Sequence, residues 1–512
     1  MFINLEILCG LALTLIVLYC YLTTRYNFWT TRGVPGPKPT LLFGNNMKSM
    51  FGMESLPQLL TRIYNDFKSE PMVGLFLRTV PVLMVKDPDL IKDILIKDFS
   101  KFANRGFIKS EPAVPLSNHL FALEAKRWRP LRTQLSPVFT SGKLRGTFSL
   151  ILECSNHLES YLNTMIEKGD PIDVRELAAR FTTDVIGSCA FGIEMNSLSE
   201  NESDFRRIGK KIFSTDFRKI LRTRIQQILP PLHVFLARVL PYNEETKMIM
   251  GITRETIEYR ERNKIVRPDF MNILMELKRH PERVADIKLT DDLLAAQTFI
   301  FFAAGFETSS TTISNALYEL ALNHDIQDKL REEINHVHDH TNNSHYSCYL
   351  FIFYFLLILV IIVLISFTET LRKYPALPFL SRESLQDYTF ENTNITIPKE
   401  TLIWVPVFPI HRDPEIYLDP EKFDPERFSE DKMEERNPMC YLPFGHGPRN
   451  CVGARFAIYQ TKIGLIKILH KNKVDVCSKT PIPYKYNPLS FVLAPTTGLY
   501  LTITRKIKLS FY

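Results

Sequence analysis

The sequence predicts a mainly α chain with a smaller β part, hung on an N-terminal transmembrane anchor. Three observations predict it: an apolar run opens the chain, helical periodicity dominates its middle, and short alternating segments sit near either end. At 512 residues the chain is long for one ordinary core, so its length implies two to three domains or one unusually large one.

The apolar run spans Ile7 to Leu22, preceded by Phe2, Ile3 and Leu5 and broken only by Glu6. No small-residue cleavage site follows it; Thr23, Thr24 and Arg25 come instead, so it reads as a retained signal anchor rather than a removed signal peptide. Arg25 and Arg32 lie just beyond, and the positive-inside tendency then places the body of the chain in the cytoplasm. Val34-Pro35-Gly36-Pro37-Lys38-Pro39 is a stiff linker, because proline fixes φ and blocks helix propagation. Leu56, Leu59, Leu60, Ile63 and Phe67 share one helical face. Met72 to Thr79 and Pro81 to Lys86 read as a hairpin, and Asp87-Pro88 opens another helix with Asp as its cap. The longest helix starts at Thr290, carries Asp291 and Asp292 in its first turn and runs to about Asn323. Its stretch Phe299 to Phe306 is apolar on all sides, which predicts a path through the centre of the molecule. Beyond Tyr374 prolines multiply, with turns at Asp413-Pro414-Glu415, Asp419-Pro420-Glu421 and Asp424-Pro425-Glu426, and Leu499 to Thr504 alternates like a strand.

Composition narrows the function. Hydrophobic residues make up 45% and charged residues 23%, as in a globular rather than a disordered chain. The net charge of +7 has no dense basic run, which argues against nucleic acid and suits a membrane surface or an acidic protein partner. The eight cysteines form no CxxC pair, so neither a disulfide framework nor zinc-like spacing is present.

One segment carries chemistry. In Pro443-Phe444-Gly445-His446-Gly447-Pro448-Arg449-Asn450-Cys451-Val452-Gly453, the glycines and prolines force a tight loop whose backbone can approach a flat ligand. The loop delivers Cys451 to the start of a helix, Ala454 to Leu469, whose amides and dipole stabilise a thiolate. A lone cysteine is ordinarily a small core residue. Here Phe444, Gly447, Arg449, Cys451 and Gly453 match Phe-x-x-Gly-x-Arg-x-Cys-x-Gly, and the segment resembles the cysteine loop of the cytochrome P450 family. That resemblance implies haem b (iron protoporphyrin IX) with Cys451 as its proximal iron ligand, the thiolate pushing electron density towards O–O cleavage.

The resemblance extends to other segments, in the family's order. Ala304-Gly305-Phe306-Glu307-Thr308-Ser309 resembles the oxygen-activation segment. Thr308 lies four residues after Ala304, so its hydroxyl can take that carbonyl and loosen the ladder. Gly305 leaves room for dioxygen and water, and Glu307 and Thr308 are expected to deliver protons. Glu369 and Arg372, three apart, with Arg427, resemble the Glu-Arg-Arg triad that braces the cysteine loop. Trp128 and Arg132 resemble the Trp-x-x-x-Arg pair that holds a haem propionate, and Arg449, Arg382 and Arg105 are implied as further propionate partners. Residues from Phe107 to Phe121, Phe301, Phe302, Ala304, Leu377 to Leu380 and Pro495 to Leu499 are the expected substrate contacts.

The family implies one large, mainly α domain with a smaller β part. The chain then divides into an anchor at 1–22, a proline-rich linker at 23–40 and a monooxygenase domain at 41–512. The implied function is insertion of one oxygen atom from O2 into lipophilic substrates, with electrons from NADPH through NADPH-cytochrome P450 reductase and with cytochrome b5 as a further partner. The implied address is the endoplasmic reticulum membrane. Arg127-Trp128, Leu135 to Gly142 and Gly305-Phe306-Glu307-Thr308 are most similar to insect microsomal members that oxidise plant toxins and insecticides.

One stretch departs from the pattern. From His340 to Thr368 there is no Asp, Glu, Lys or Arg, and Cys348 to Phe367 is almost wholly apolar, as in a second membrane span. A second span would put Cys451 and Thr308 on opposite sides of a bilayer, so residues 342–366 read as an anomalous insertion such as a translated intron. The rival reading is a non-catalytic two-span membrane protein from a damaged monooxygenase gene. A zinc site from Cys440, His446 and Cys451 has a spacing that no known zinc module uses.

Overall fold

The computed structural model describes residues 2–107, 114–199, 201–214, 216–240, 243–284, 287–342 and 361–506. Its chain forms two compact units. The smaller comprises Met1–Gly106, Leu377–Leu418 and Asn437–Asn450; the larger comprises Phe107–Ala376, Asp419–Arg436 and Cys451–Tyr512.

In the smaller unit the apolar N-terminal run is a helix, Phe2–Tyr26, of 25 residues. At 1.5 Å per residue it spans about 37 Å, against about 30 Å of hydrocarbon. Among the described residues it is the one helix long and apolar enough to cross a membrane. The proline-rich linker packs tightly on the hairpin. Gly74 N–H donates to the Pro35 carbonyl at 2.8 Å, and a Cβ on Gly36 would lie 1.9 Å from the Gly74 oxygen. Trp29, 3% exposed, donates its indole N–H to the Leu75 carbonyl at 3.0 Å. The hairpin pairs Met72–Leu77 with Val80–Val85; Leu402–Val405 then adds in parallel, and Leu380–Glu383 pairs antiparallel with it. Helix Leu56–Asp66 starts in a capping box of Ser55 and Gln58 and buries Leu59, Leu60 and Ile63. Asp87 caps helix Pro88–Lys92 through the N–H groups of Asp89 and Leu90.

The larger unit is built around helix Asp291–Leu322, of 32 residues and capped by the Thr290 side chain. Helices Val174–Ile186, Glu244–Arg262, Ile361–Lys373 and Ala454–Leu469 pack on it. A small sheet orders Ile172–Asp173, Tyr500–Arg505 and Asn472–Val476. The expected mainly α class with a smaller β part therefore holds.

Residues 343–360, most of the anomalous apolar stretch, lie outside the described residues. Its C-terminal end is a packed helix, Ile361–Lys373, in which Val363, Ile365, Ser366 and Phe367 are buried. The Glu333 carboxylate accepts the Ile362 N–H at 3.0 Å. Segments before and after the stretch are joined elsewhere too. Lys373 Nζ pairs with Glu319 at 2.7 Å, and Gln327 and Val474 exchange two hydrogen bonds at 2.8 and 2.9 Å.

Candidate functional site

The long helix of the larger unit is buried from Leu293 to Ala321 except at Phe299, Ile300, Ala304, Gly305 and Thr308. Ile300, Ala304 and Thr308 repeat every four residues, so they line one stripe of a helix that is otherwise enclosed. Along it, Thr308 Oγ1 donates to the Ala304 carbonyl at 2.8 Å. A Cβ on Gly305 would lie 2.6 Å from Ile186 Cδ1, which explains the glycine by packing against the neighbouring helix. Glu307 does not share the stripe: it is 5% exposed and pairs with Arg175 Nη2 at 2.6 Å.

Cys451 is exposed and forms no disulfide with a described cysteine. It lies just ahead of helix Ala454–Leu469, whose N-cap, Gly453, has no side chain to satisfy the first amides. Those orphan N–H groups and the dipole favour negative charge at the helix start. Trp128 and Arg132 stand one turn apart on helix Ala125–Leu135, Trp128 being 4% exposed. Burial lowers the basicity of Arg132, and the negative charge available at Cys451 pushes it back up, so guanidinium and sulfur are electrostatic neighbours.

Glu369 and Arg372 are both fully buried and bonded twice, Nε to Oε2 at 2.7 Å and Nη2 to Oε1 at 2.8 Å. Arg372 also donates to the Pro420 carbonyl at 2.7 Å, and Glu369 accepts the Asp424 N–H at 2.9 Å. Arg427 Nε stands 3.6 Å from Glu369 Oε1, and its Nη2 donates to the Asp419 carbonyl at 3.0 Å. The three residues quoted as a triad thus converge on one carboxylate.

In the smaller unit the segment from Pro443 to Asn450 turns through left-handed backbone at Gly445 (φ 68°) and Gly447 (φ 73°). A Cβ at Gly447 would sit 1.9 Å from the Leu95 carbonyl oxygen, so only glycine fits. The loop is tied down by the Leu442 N–H, which donates to buried His411 Nε2 at 2.9 Å, and by Arg105 Nη2, which donates to the Arg449 carbonyl at 2.8 Å. Phe444 is half-buried and Arg449 is 2% exposed. Arg382 is also 2% exposed; its Nη1 donates to the Ser381 carbonyl at 2.8 Å, and its buried Nε has no hydrogen-bond partner among the described residues. Burial pushes its pKa down to about 10. It is a buried cation to which no described carboxylate is bonded. Among the described residues no group of three or more His, Cys, Asp or Glu side chains is placed to hold a metal ion, and Cys440 is buried while His446 is exposed.

The residues expected to touch substrate divide. Residues 108–113 lie outside the described set. Phe301 stacks on Phe270 at 3.8 Å and Phe302 packs on Phe306 at 5.0 Å, both inside the core. Leu499 is fully buried. Partly open aromatic rings instead link Phe107 to Phe121, Phe121 to His119 and Phe491, and His119 to Phe299, with centroids 5.3 to 6.5 Å apart. Phe299 and Phe491 escape a sequence reading because an apolar residue on an apolar helix or in a loop has no signature of its own.

A family model described as cytochrome P450 matches residues 34–502. The chain is 41% identical to cytochrome P450 6A1 of Musca domestica over 497 residues, covering 94% of this chain and 96% of that relative. It is 38% identical to cytochrome P450 6k1 of Blattella germanica over 512 residues, covering 97% and 96%. Against cytochrome P450 6a2 of Drosophila melanogaster it is 39% identical over 516 residues, covering 99% and 100%. The expected likeness to insect proteins is borne out.

Proposed function

Because the chain belongs to the cytochrome P450 family of monooxygenases, we propose that it is a haem-thiolate enzyme that inserts one oxygen atom from O2 into lipophilic substrates. These include xenobiotics such as plant toxins and insecticides, and endogenous lipids or hormones. Electrons come from NADPH through NADPH-cytochrome P450 reductase, with cytochrome b5 as a further partner. The enzyme sits on the endoplasmic reticulum membrane by the helix Phe2–Tyr26, its body in the cytoplasm.

The observation that carries this reading is the exposed Cys451 thiol, beside Arg132 and ahead of a helix with uncapped amides. It shares its compact unit with the open stripe at Ala304 and Thr308. Arg382 adds an independent fit: a buried guanidinium with a stranded Nε suits an anionic group such as a propionate. Haem, when bound, supplies the redox chemistry that splits dioxygen.

The chain's own residues do the rest. Cys451 would hold the iron as a thiolate, stabilised by the helix start. Trp128 and Arg132 would hold a propionate, with Arg382, Arg449 and Arg105 as further partners, while Phe444, Gly447 and Gly453 shape the loop. Thr308 keeps its oxygen on the open stripe by bonding to the Ala304 carbonyl, poised to pass a proton across. Glu307 reaches that stripe only by leaving Arg175, so its carboxylate is a gated relay that takes a proton from solvent water before passing it on. For the reductase, Lys126, Arg129, Lys143, Arg145 and Arg455 are basic and exposed or nearly so on the elements around Trp128 and Cys451, and Arg455 donates to Ser141 at 3.0 Å. Such a face suits an acidic partner.

The test is the carbon-monoxide difference spectrum of the reduced recombinant protein, which reports thiolate ligation by a red-shifted Soret band. Cys451→Ser is expected to abolish both that band and NADPH-dependent turnover; retention of both refutes the reading. The two-span alternative is disfavoured by the bonds that join Glu319, Gln327 and Glu333 to Lys373, Val474 and Ile362, across the apolar stretch. Protease protection of a C-terminal tag in microsomes separates the two, since only the two-span protein shelters its end.

A further inference from the structure

Thr308 is one of several side chains bonded to the backbone of the long helix. Five successive carbonyls, Ala304 to Thr308, each accept a side-chain hydrogen bond, from Thr308, Gln460, Thr182, Ser310 and Thr312 in turn, at 2.8 to 3.0 Å. Three of the donors belong to the helix itself, as serine and threonine often do. The other two come from neighbouring helices: Thr182 on Val174–Ile186 bonds Phe306, and Gln460 on Ala454–Leu469 bonds Gly305. Both side chains are fully buried.

Gln460 uses both of its amide hydrogens here. Nε2 lies 3.0 Å from the Gly305 carbonyl and 2.5 Å from Ser309 Oγ, while Oε1 is buried without a partner. The orientation of the amide follows from Gly305, whose carbonyl can only accept. Packing alone does not explain the residue, since methionine or leucine would fill the space and strand no oxygen. Thr182 has one proton, with the Ala178 carbonyl at 3.0 Å as a competitor to Phe306 at 2.9 Å, so it is the weaker prop. A carbonyl held by an outside donor is drawn away from the N–H four residues on, and helices open where side chains enter the ladder in this way.

We propose that Gln460, seconded by Thr182, is a positioning residue that competes with the helical ladder for the Gly305 carbonyl and so sets the backbone of the open stripe at Ala304 beside Thr308. It thereby ties the helix that follows Cys451 to the helix that carries Thr308. The proposal rests on the monooxygenase reading for its consequence in turnover but not for its geometry.

Two near-isosteric variants test it in the full-length holoenzyme, Gln460→Met and Thr182→Val, with Thr182→Ser as the conservative control. Backbone hydrogen exchange is read over residues 304–312, and hydrogen peroxide released per NADPH is read during turnover. If the outside donor weakens the ladder, its removal lets the Ser309 N–H bond Gly305 fully, and exchange slows by about threefold or more. Loss of simple packing would speed it instead. The shifted stripe is expected to raise peroxide release by about tenfold, since small displacements of a reacting group are heavily penalised. Thr182→Ser keeps its hydroxyl and stays at the wild-type values. Exchange that is unchanged or faster in Gln460→Met overturns the role given to Gln460, whatever Thr182→Val shows. Should Gln460→Met fail to fold, Thr182→Val decides by the same two readings. Absence of a red-shifted carbon-monoxide band in the wild type overturns the monooxygenase reading instead, so the two failures are told apart.

Discussion

Glu369→Gln removes one charge from a pair that is wholly out of water, and its cost can be worked from the geometry. Glutamine keeps the size and still accepts the Asp424 N–H, so what is lost is the counter-ion of Arg372, itself fully buried, and of Arg427, 3.6 Å away. Breaking a buried pair from one side costs about 3–5 kcal/mol, because the other charge is left uncompensated. At 1.36 kcal/mol per tenfold, the ratio of closed to open chain should fall roughly a hundred- to a few-thousand-fold. Limited proteolysis under native conditions reads that ratio when opening and reclosing outpace cleavage. The double variant Glu369→Gln with Arg372→Met removes both charges and strands chiefly the Pro420 carbonyl, which Arg372 had satisfied at 2.7 Å. That costs about 1–3 kcal/mol, and Arg427 loses the same carboxylate in both, so the double should be no worse than Glu369→Gln alone. Single variants that lose less than about 1 kcal/mol would behave as exposed ion pairs do, and a double equal to the sum of the singles would show no coupling. Either result refutes the argument.

Other perturbations follow from local geometry. Gly447→Ala, with its Cβ 1.9 Å from the Leu95 carbonyl at a φ of 73°, should abolish folded protein, whereas Gly453→Ala, 3.6 Å from the Phe139 ring, should fold normally by circular dichroism. Burial alone would raise the Glu159 pKa, but hydrogen bonds from Lys471 and Lys467 outweigh it and hold the carboxyl at about 2. A folded pKa below the unfolded 4.5 stabilises above that value and stops doing so as pH falls from 4.5 to about 2, so a loss of thermal midpoint in Glu159→Gln at pH 7 should vanish over that range. Replacing residues 343–360 by a short Gly/Ser bridge should preserve the red-shifted carbon-monoxide band; loss of the band would show that this segment belongs to the fold.

Much of the site is legible in the sequence because its constraints are local. Glycine at left-handed backbone, as at Gly445 and Gly447, leaves a spacing that survives in one dimension. The bond from Thr308 to Ala304 is set by a four-residue interval, and Thr290, Ser55 and Asp87 announce their helices by capping. Long-range partners leave no such trace. Nothing in Gln460 or Thr182 points to carbonyls more than a hundred residues away, and Arg175 gives no sign of the Glu307 that it neutralises. Buried aromatics mislead for the same reason: periodicity says that Phe301 and Phe302 lie on a core helix, and only packing shows that they turn into it.

The apolar stretch is the sharper lesson, because hydropathy cannot tell a membrane from a protein interior. Val363, Ile365 and Phe367 look like the end of a membrane span, yet they are buried among the helices of the larger unit and form the first turns of the helix that bears Glu369. The flanks are also close. Ile362 N–H bonds Glu333, which lies nine residues before Asn342 on helix His324–Asn342. Nine residues of helix advance about 14 Å, so with the reach of a side chain the two flanks stand roughly 20 Å apart, a gap that about six extended residues can close. A segment whose ends are this near and both anchored in one compact unit adds only a slowly growing loop-closure entropy to folding. The same geometry would be impossible had the chain crossed a bilayer between them, since Lys373 would then lie across about 30 Å of hydrocarbon from Glu319, with which it pairs at 2.7 Å.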